Sequence, residues 1–341
     1  MEQGIIKKND VKIIISALRK NYIVYGPVKR NEGVIFTELT PDKEIIFDYH
    51  NSKLSPKSLF FPQCEVIGTF DDKTLHEVTP SKNEFVVFGM RPCDARSLQL
   101  MDMVFDSVDI KDPYYLQKRE NAIIVTVACN DPQDTCFCTS FGGSPTEKEG
   151  SDIIVFDMGD SLLFEVCTNK GKLCLEKFSN IFRKAEKADL IKRNQQKTIA
   201  EKKVPVMNYT GLEERLSRNI DLPVWESIAQ RCLSCGVCTF LCPTCHCFAL
   251  FDEGIGSEGM RMKVWDSCQY PSFTLEASGH NPHGLNSERM KQRIMHKYNY
   301  FVQNFGETAC VGCGRCVSYC PVNIDIREIM SNIVLYENKD S

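Results

Sequence analysis

The residues most able to do chemistry are two cysteine runs in the last third of the chain, Cys232-Leu-Ser-Cys235-Gly-Val-Cys238-Thr-Phe-Leu-Cys242-Pro243 and Cys310-Val-Gly-Cys313-Gly-Arg-Cys316-Val-Ser-Tyr-Cys320-Pro321. Each has the spacing C-x2-C-x2-C-x3-C-P that ferredoxins use to hold a 4Fe-4S cluster. Three thiolates on one tight loop reach three irons of a cubane, while the fourth leaves on a proline-started helix and points at the neighbouring cluster. The expected ligand sets are therefore crossed: Cys232, Cys235, Cys238 and Cys320 for one cluster, Cys310, Cys313, Cys316 and Cys242 for the other. Paired zinc sites or buried structural thiols are the bland alternatives, and neither explains the same spacing with its proline twice. The chemistry such clusters supply is one-electron transfer.

The remaining cysteines are less eloquent. Cys93 and Cys129 each follow a continuous apolar run, Phe85–Met90 and Ala122–Ala128, and Cys136 and Cys138 stand a short loop further on. Both runs read as buried central strands, and in open α/β sheets ligands gather beyond the carboxyl ends of such strands. Four thiols could thus meet at one rim as a third iron–sulfur site, or serve only as small buried hydrophobes, and spacing does not decide between the two. Cys245, Cys247 and Cys268 are surplus to the eight ligands, and His246 between the first two is placed to hydrogen-bond near a cluster. Cys64, Cys167 and Cys174 stand alone and read as core residues.

The elements that must position these groups fall into two parts. Residues 1–205 read as a mixed α/β domain: a helix from Asn9 or Asp10 through Leu18, short strand-like runs at 22–25, 34–37 and 45–49, then the two buried runs, with Asp94 capping the helix after the first. Charged helical sequence from 173 to 203 reads as a solvated face and leads to the boundary. Residues 206–341 read as an all-α two-cluster ferredoxin domain, with helices near Trp225, from Asn286 to Gly306 and from Asp325 to Tyr336. The whole is of class α+β. Arg289, Lys291, Arg293 and Lys297 on the Asn286 helix read as a solvated basic face.

Several function classes are excluded. Lys plus Arg number 41 against 45 for Asp plus Glu, so there is no basic excess with which to bind nucleic acid. No apolar run approaches the roughly 18 residues needed to span a bilayer, and no leader pattern opens the chain, so a cytoplasmic location is expected. Gly254-Ile-Gly-Ser-Glu-Gly259 matches a dinucleotide fingerprint but lies between cluster motifs and lacks the βαβ context that gives the pattern meaning. The six histidines show no metal-ligand spacing.

The blocks Arg91-Pro-Cys-Asp94, Cys136-Phe-Cys138, Cys242-Pro-Thr-Cys-His-Cys247, Trp265-Asp-Ser-Cys-Gln269, Ser278-Gly-His-Asn281 and Cys310-Val-Gly-Cys-Gly-Arg-Cys316 carry a family resemblance that runs from about residue 11 to residue 330. The chain resembles the family that joins the iron–sulfur subunits of anaerobic sulfite reductase with the beta subunits of soluble sulfhydrogenases. The resemblance implies an electron-transfer role. The partners would be a flavin subunit that takes electrons from NAD(P)H and a catalytic subunit, either siroheme sulfite reductase or nickel–iron hydrogenase. The family also carries cysteines that match Cys93, Cys129, Cys136 and Cys138, which strengthens a third iron–sulfur site there without removing the structural alternative. The resemblance does not choose between the two complexes: Arg91-Pro-Cys-Asp94 and Trp265-Asp-Ser-Cys268 are closer to the hydrogenase-type branch, while the chain length suits the sulfite-reductase branch. Two other roles stay open: a reductase in its own right, using Cys245, Cys247 or Cys268 near a cluster, and a structural or redox-sensing protein.

Overall fold

The computed structural model describes residues 2–31, 33–218 and 221–336. The described residues form the strands β1 (Gln3–Lys7), β2 (Ile23–Arg30), β3 (Gly33–Glu38), β4 (Cys64–Phe70), β5 (Leu75–Glu77), β6 (Phe85–Met90), β7 (Ala122–Val127), β8 (Ile153–Asp157), β9 (Ser161–Val166), β10 (Phe248–Ile255) and β11 (Glu258–Trp265). The chain divides into two compact units, one of residues 1–60, 80–205 and 311–313, the other of residues 61–79, 206–310 and 314–341. The class is α+β.

The first unit is built on a seven-stranded sheet of order β1-β9-β8-β7-β6-β2-β3. Its centre, β2, β6, β7 and β8, is parallel, while β3, β9 and β1 add antiparallel edges. The central strands read as continuous apolar runs because both faces are covered. Ile123, Val125, Ile153 and Val155 join one core with the apolar stripe of α1 (Val11–Leu18), whereas Ile154 and Phe156 pack on the opposite face. α2 (Pro92–Phe105) follows β6, α3 (Pro113–Asn121) precedes β7, α4 (Asn169–Glu176) packs on the α1 side, and α5 (Lys187–Lys203) closes the unit. The apolar run at 45–49 forms no strand, and β1 is too short to stand out in the sequence.

Asp94 is not the cap of α2. The helix starts one turn earlier, with Arg91 at the N-cap and Pro92 as its first residue, where a missing N–H costs nothing. Asp94 instead sits buried in the first turn, accepts a hydrogen bond from Ser55 Oγ at 2.9 Å, and faces the positive end of the helix.

The second unit is not all helical. Its helices α6 (Leu212–Arg218), α7 (Val224–Ala229), α8 (Val237–Phe240), α9 (Asn286–Met295), α10 (Phe301–Phe305), α11 (Arg315–Ser318) and α12 (Ile326–Leu335) are joined by an antiparallel sheet of order β10-β11-β4-β5. The segment 61–79, which sequence order puts with the first domain, belongs here because β4 pairs with β11, Cys64 opposite Val264, and because Trp265 Nε1 donates to the Phe61 carbonyl at 3.0 Å. Gly254, Gly256 and Gly259 form the tip of the β10–β11 hairpin, with Gly256 at φ +65°, so the glycine pattern is a turn. No helix among the described residues is long and apolar enough to cross a membrane.

Candidate metal centre

Within the second unit, the first cysteine run forms a loop whose path depends on left-handed backbone. Ser234 has φ +51°, and Gly236 has φ +72° at the N-cap of α8. A Cβ on Gly236 would lie 2.9 Å from both the Phe240 ring and the Tyr270 hydroxyl, so only glycine fits. Thr239 Oγ1 then donates to the Gly236 carbonyl at 2.8 Å and pins the turn.

The loop wraps a cavity of about 520 Å³, counted to its open mouth, lined by Cys232, Cys235, Cys238 and, from the second run, Cys316 and Cys320. The structure therefore gathers three thiols of one run and two of the other, Cys316 beside the expected Cys320. Backbone N–H groups point at two of these sulfurs, Ser234 N to Cys232 at 3.4 Å and Ile324 N to Cys320 at 3.2 Å. Such donors favour the anionic sulfur that metal binding requires. Burial pushes the Cys238 thiol up to about 12, ahead of weaker effects from Arg293 and neighbouring thiols.

Three members of the other expected set, Cys242, Cys310 and Cys316, surround the buried end of α9 and the π turn His296–Tyr300 that extends it. Lys297 Nζ donates to Cys242 Sγ at 3.3 Å, and the Thr244 hydroxyl lies 3.2 Å from the same sulfur. The fourth, Cys313, stands on the strip 311–313, which packs with the first unit.

In the first unit, Cys93, Cys129, Cys136 and Cys138 line one cavity of about 320 Å³ beyond the carboxyl ends of β6 and β7. Cys313 lines it as well, a fifth thiol that spacing does not assign there. Arg91 explains part of the convergence. Its guanidinium is buried, stacks on the Tyr49 ring at 4.0 Å, and donates to the carbonyls of Ala128 at 3.1 Å and His50 at 3.0 Å, tying the end of β7 to the 47–50 segment. Gly312 has φ +60°, and its carbonyl accepts from Phe137 N at 2.8 Å, which holds the strip against the Cys136–Cys138 loop. Burial, then the charges of Cys136 and Cys129, pushes Cys138 up to about 12.

Among the described residues, no three His, Cys, Asp or Glu side chains converge as ligands of a single metal ion. A cubane binds each thiolate at a different iron, so its ligands surround a cavity rather than meet at a point. The thiols lining the two cavities, and the buried Arg293 beside the larger one with its Nε lacking a partner, fit an anionic cluster.

The surplus cysteines lie beside these sites. Cys245 hydrogen-bonds Cys242. Cys247 and Cys268 flank the root of the β10–β11 hairpin, where Asp266 N donates to the Cys247 carbonyl at 3.0 Å. The hydrogen bond between their thiols pulls Cys268 below the usual thiol range and pushes Cys247 above it. His246 Nδ1 lies 3.0 Å from the Thr244 carbonyl, with its ring beside His296. Of the three isolated cysteines only Cys174 is fully buried, Cys167 is half-buried, and Cys64 is exposed on β4.

The basic face of α9 also differs from its sequence reading. Lys291 reaches solvent and pairs with Asp221 at 2.9 Å, but Arg289, Arg293 and Lys297 are buried. Their spacing at i, i+4 and i+8 places them on the inner side, where Arg289 donates to the carbonyls of His283 and Gly284 while Arg293 and Lys297 lie beside cysteines.

Residues 231–324 match the model of a 4Fe-4S dicluster domain. The chain is 34% identical over 315 residues to the sulfhydrogenase 2 subunit beta of Pyrococcus furiosus, a match that covers 91% of this chain and 92% of the relative. With that extent of similarity and the cysteine sites it contains, the chain belongs to the sulfhydrogenase beta-subunit family of iron–sulfur proteins.

Proposed function

We propose that the protein is the iron–sulfur electron-transfer subunit of a soluble, cytoplasmic anaerobic oxidoreductase complex. It passes electrons between a flavin partner linked to NAD(P)H and a catalytic subunit of the hydrogenase or sulfite reductase type. The observation that carries this reading is the cavity in which Cys232, Cys235 and Cys238 of one run meet Cys316 and Cys320 of the other, a lining that supports the crossed set with Cys320 as fourth ligand. In it, Cys310, Cys313, Cys316 and Cys242 hold the second 4Fe-4S cluster, and the helices α6–α12 form the alpha-helical ferredoxin core. A third cluster at Cys93, Cys129, Cys136 and Cys138 is supported by their common cavity.

The clusters supply one-electron exchange when bound. The protein surrounds them with backbone donors and apolar walls, which set their potential by hydrogen bonding and exclusion of water. The pure chain is then EPR-active when reduced and inert toward NAD(P)H, sulfite and hydrogen. Turnover of any of these by the flavin-free chain contradicts the assignment.

A second reading, a reductase that uses Cys268 as its reactive thiol, is favoured by the hydrogen-bonded pair Cys247–Cys268. Cys268→Ala separates the two. Unchanged electron transfer in the reconstituted complex supports the carrier, and loss of turnover with all clusters intact supports the reductase.

A further inference from the structure

Helix α9 and its π turn bring two cations into the interior of the cluster unit. Arg293 is 4% exposed and Lys297 is 3% exposed. The hydrogen bonds of Lys297 Nζ go to Cys242 Sγ at 3.3 Å, Thr244 Oγ1 at 3.0 Å and the Ala309 carbonyl at 2.9 Å. Arg293 Nη2 donates to the Cys238 carbonyl at 3.2 Å, its Nε is buried without a partner, and the side chain lines the cavity of Cys232, Cys235, Cys238 and Cys320.

Among the described residues, neither cation forms an ion pair with a carboxylate. A buried charge without a counter-charge costs several kcal/mol, so these two side chains require an anion from another source. The groups placed to supply it are sulfurs. Cys242 Sγ lies 3.3 Å from Lys297 Nζ, and Arg293 lines the same cavity as Cys238 and Cys316. A π turn is a local widening of the helix that recurs at functional positions, and this one carries Lys297 toward Cys242.

We propose that Lys297 and Arg293 set the reduction potentials of the two clusters, Lys297 acting on the cluster held through Cys242 and Arg293 on the one held by Cys232, Cys235, Cys238 and Cys320. The inference rests on the cluster reading given above. Reduction adds one electron, and hence one negative charge, to a cluster already bound by thiolates. A fixed positive charge in a water-poor interior stabilises the reduced form more than the oxidised form and moves the potential upward. The two residues are positioning residues that act through charge.

The test is an EPR-monitored redox titration of the anaerobically purified full chain, with iron and acid-labile sulfide measured on each sample. Lys297→Gln should move one cluster's midpoint to more negative potential by about a tenfold change in the reduction equilibrium, about 59 mV for one electron, with iron unchanged. Arg293→Gln should move the other midpoint in the same direction, and Lys297→Arg should stay near the wild type. Full iron with an unchanged midpoint in either glutamine variant overturns the assignment for that residue. Should Lys297→Gln lose iron, retention by Lys297→Arg supports a requirement for charge, and loss from both overturns it. Failure of the cluster reading itself is seen separately, as a wild-type chain without acid-labile sulfide.

Discussion

Lys297 donates through Nζ to the sulfur of Cys242 at 3.3 Å, and both side chains are buried. Removing the sulfur takes away one of the three partners of a buried cation, which costs about 1–3 kcal/mol. Cys242→Ala should therefore destabilise the protein more than Cys235→Ala, because Cys235 is exposed. The double variant Cys242→Ala, Lys297→Met should recover part of the loss. Urea midpoints of anaerobic samples measure this, and equal midpoints for the single and double variants would sink it.

Gly312 holds a left-handed φ of +60°, and a Cβ there would come within 2.5 Å of Cys138 N and of the Phe137 carbonyl group. Those neighbours are backbone and cannot swing aside. Gly312→Ala should cost at least about 1–3 kcal/mol from the backbone conformation alone, with a further loss from the displaced loop. A urea midpoint equal to the wild type would show that the strip does not pack this closely.

Cys136 is buried and lines the cavity of the first unit together with Cys93, Cys129 and Cys138. If that cavity holds a cluster, Cys136→Ser should lower iron from about twelve to about eight per chain, at four per cluster, and leave the EPR features of the other two. Identical iron in wild type and variant would return these thiols to a structural role.

Burial, partly opposed by Arg96, raises the Glu147 carboxyl to about 7 from an ordinary 4.5. The folded protein therefore holds this proton more tightly than the unfolded chain does. The contribution to stability is full below pH 4.5 and is lost as pH rises through about 7. Thermal melting across that window should fall less steeply with pH in Glu147→Gln than in the wild type. An identical slope would show that Glu147 does not control it.

What the sequence reveals and what it hides follow from how far apart the determinants lie. The Cys232–Cys242 and Cys310–Cys320 runs are legible because ligand spacing is local, and the strands at Phe85–Met90 and Ala122–Val127 because burial on both faces leaves an unbroken apolar run. The sheet of the second unit is not legible. Its strand β4 pairs with β11, nearly two hundred residues later, and most of the β10 side chains are exposed, which erases the alternation of a half-buried strand. Arg293 and Lys297 mislead for a related reason. A basic residue at every fourth position ordinarily marks a solvated face, and the sulfur, hydroxyl and carbonyl partners brought in from other segments make an interior position tolerable.

The most direct test is iron and acid-labile sulfide per chain after anaerobic purification, read with the EPR spectrum of the dithionite-reduced protein. At least about eight irons with matching sulfide and the signals of two interacting 4Fe-4S clusters are expected, rising to about twelve with the first-unit site filled. A chain that binds one or two metal ions without sulfide, or binds none, would contradict the cluster assignment.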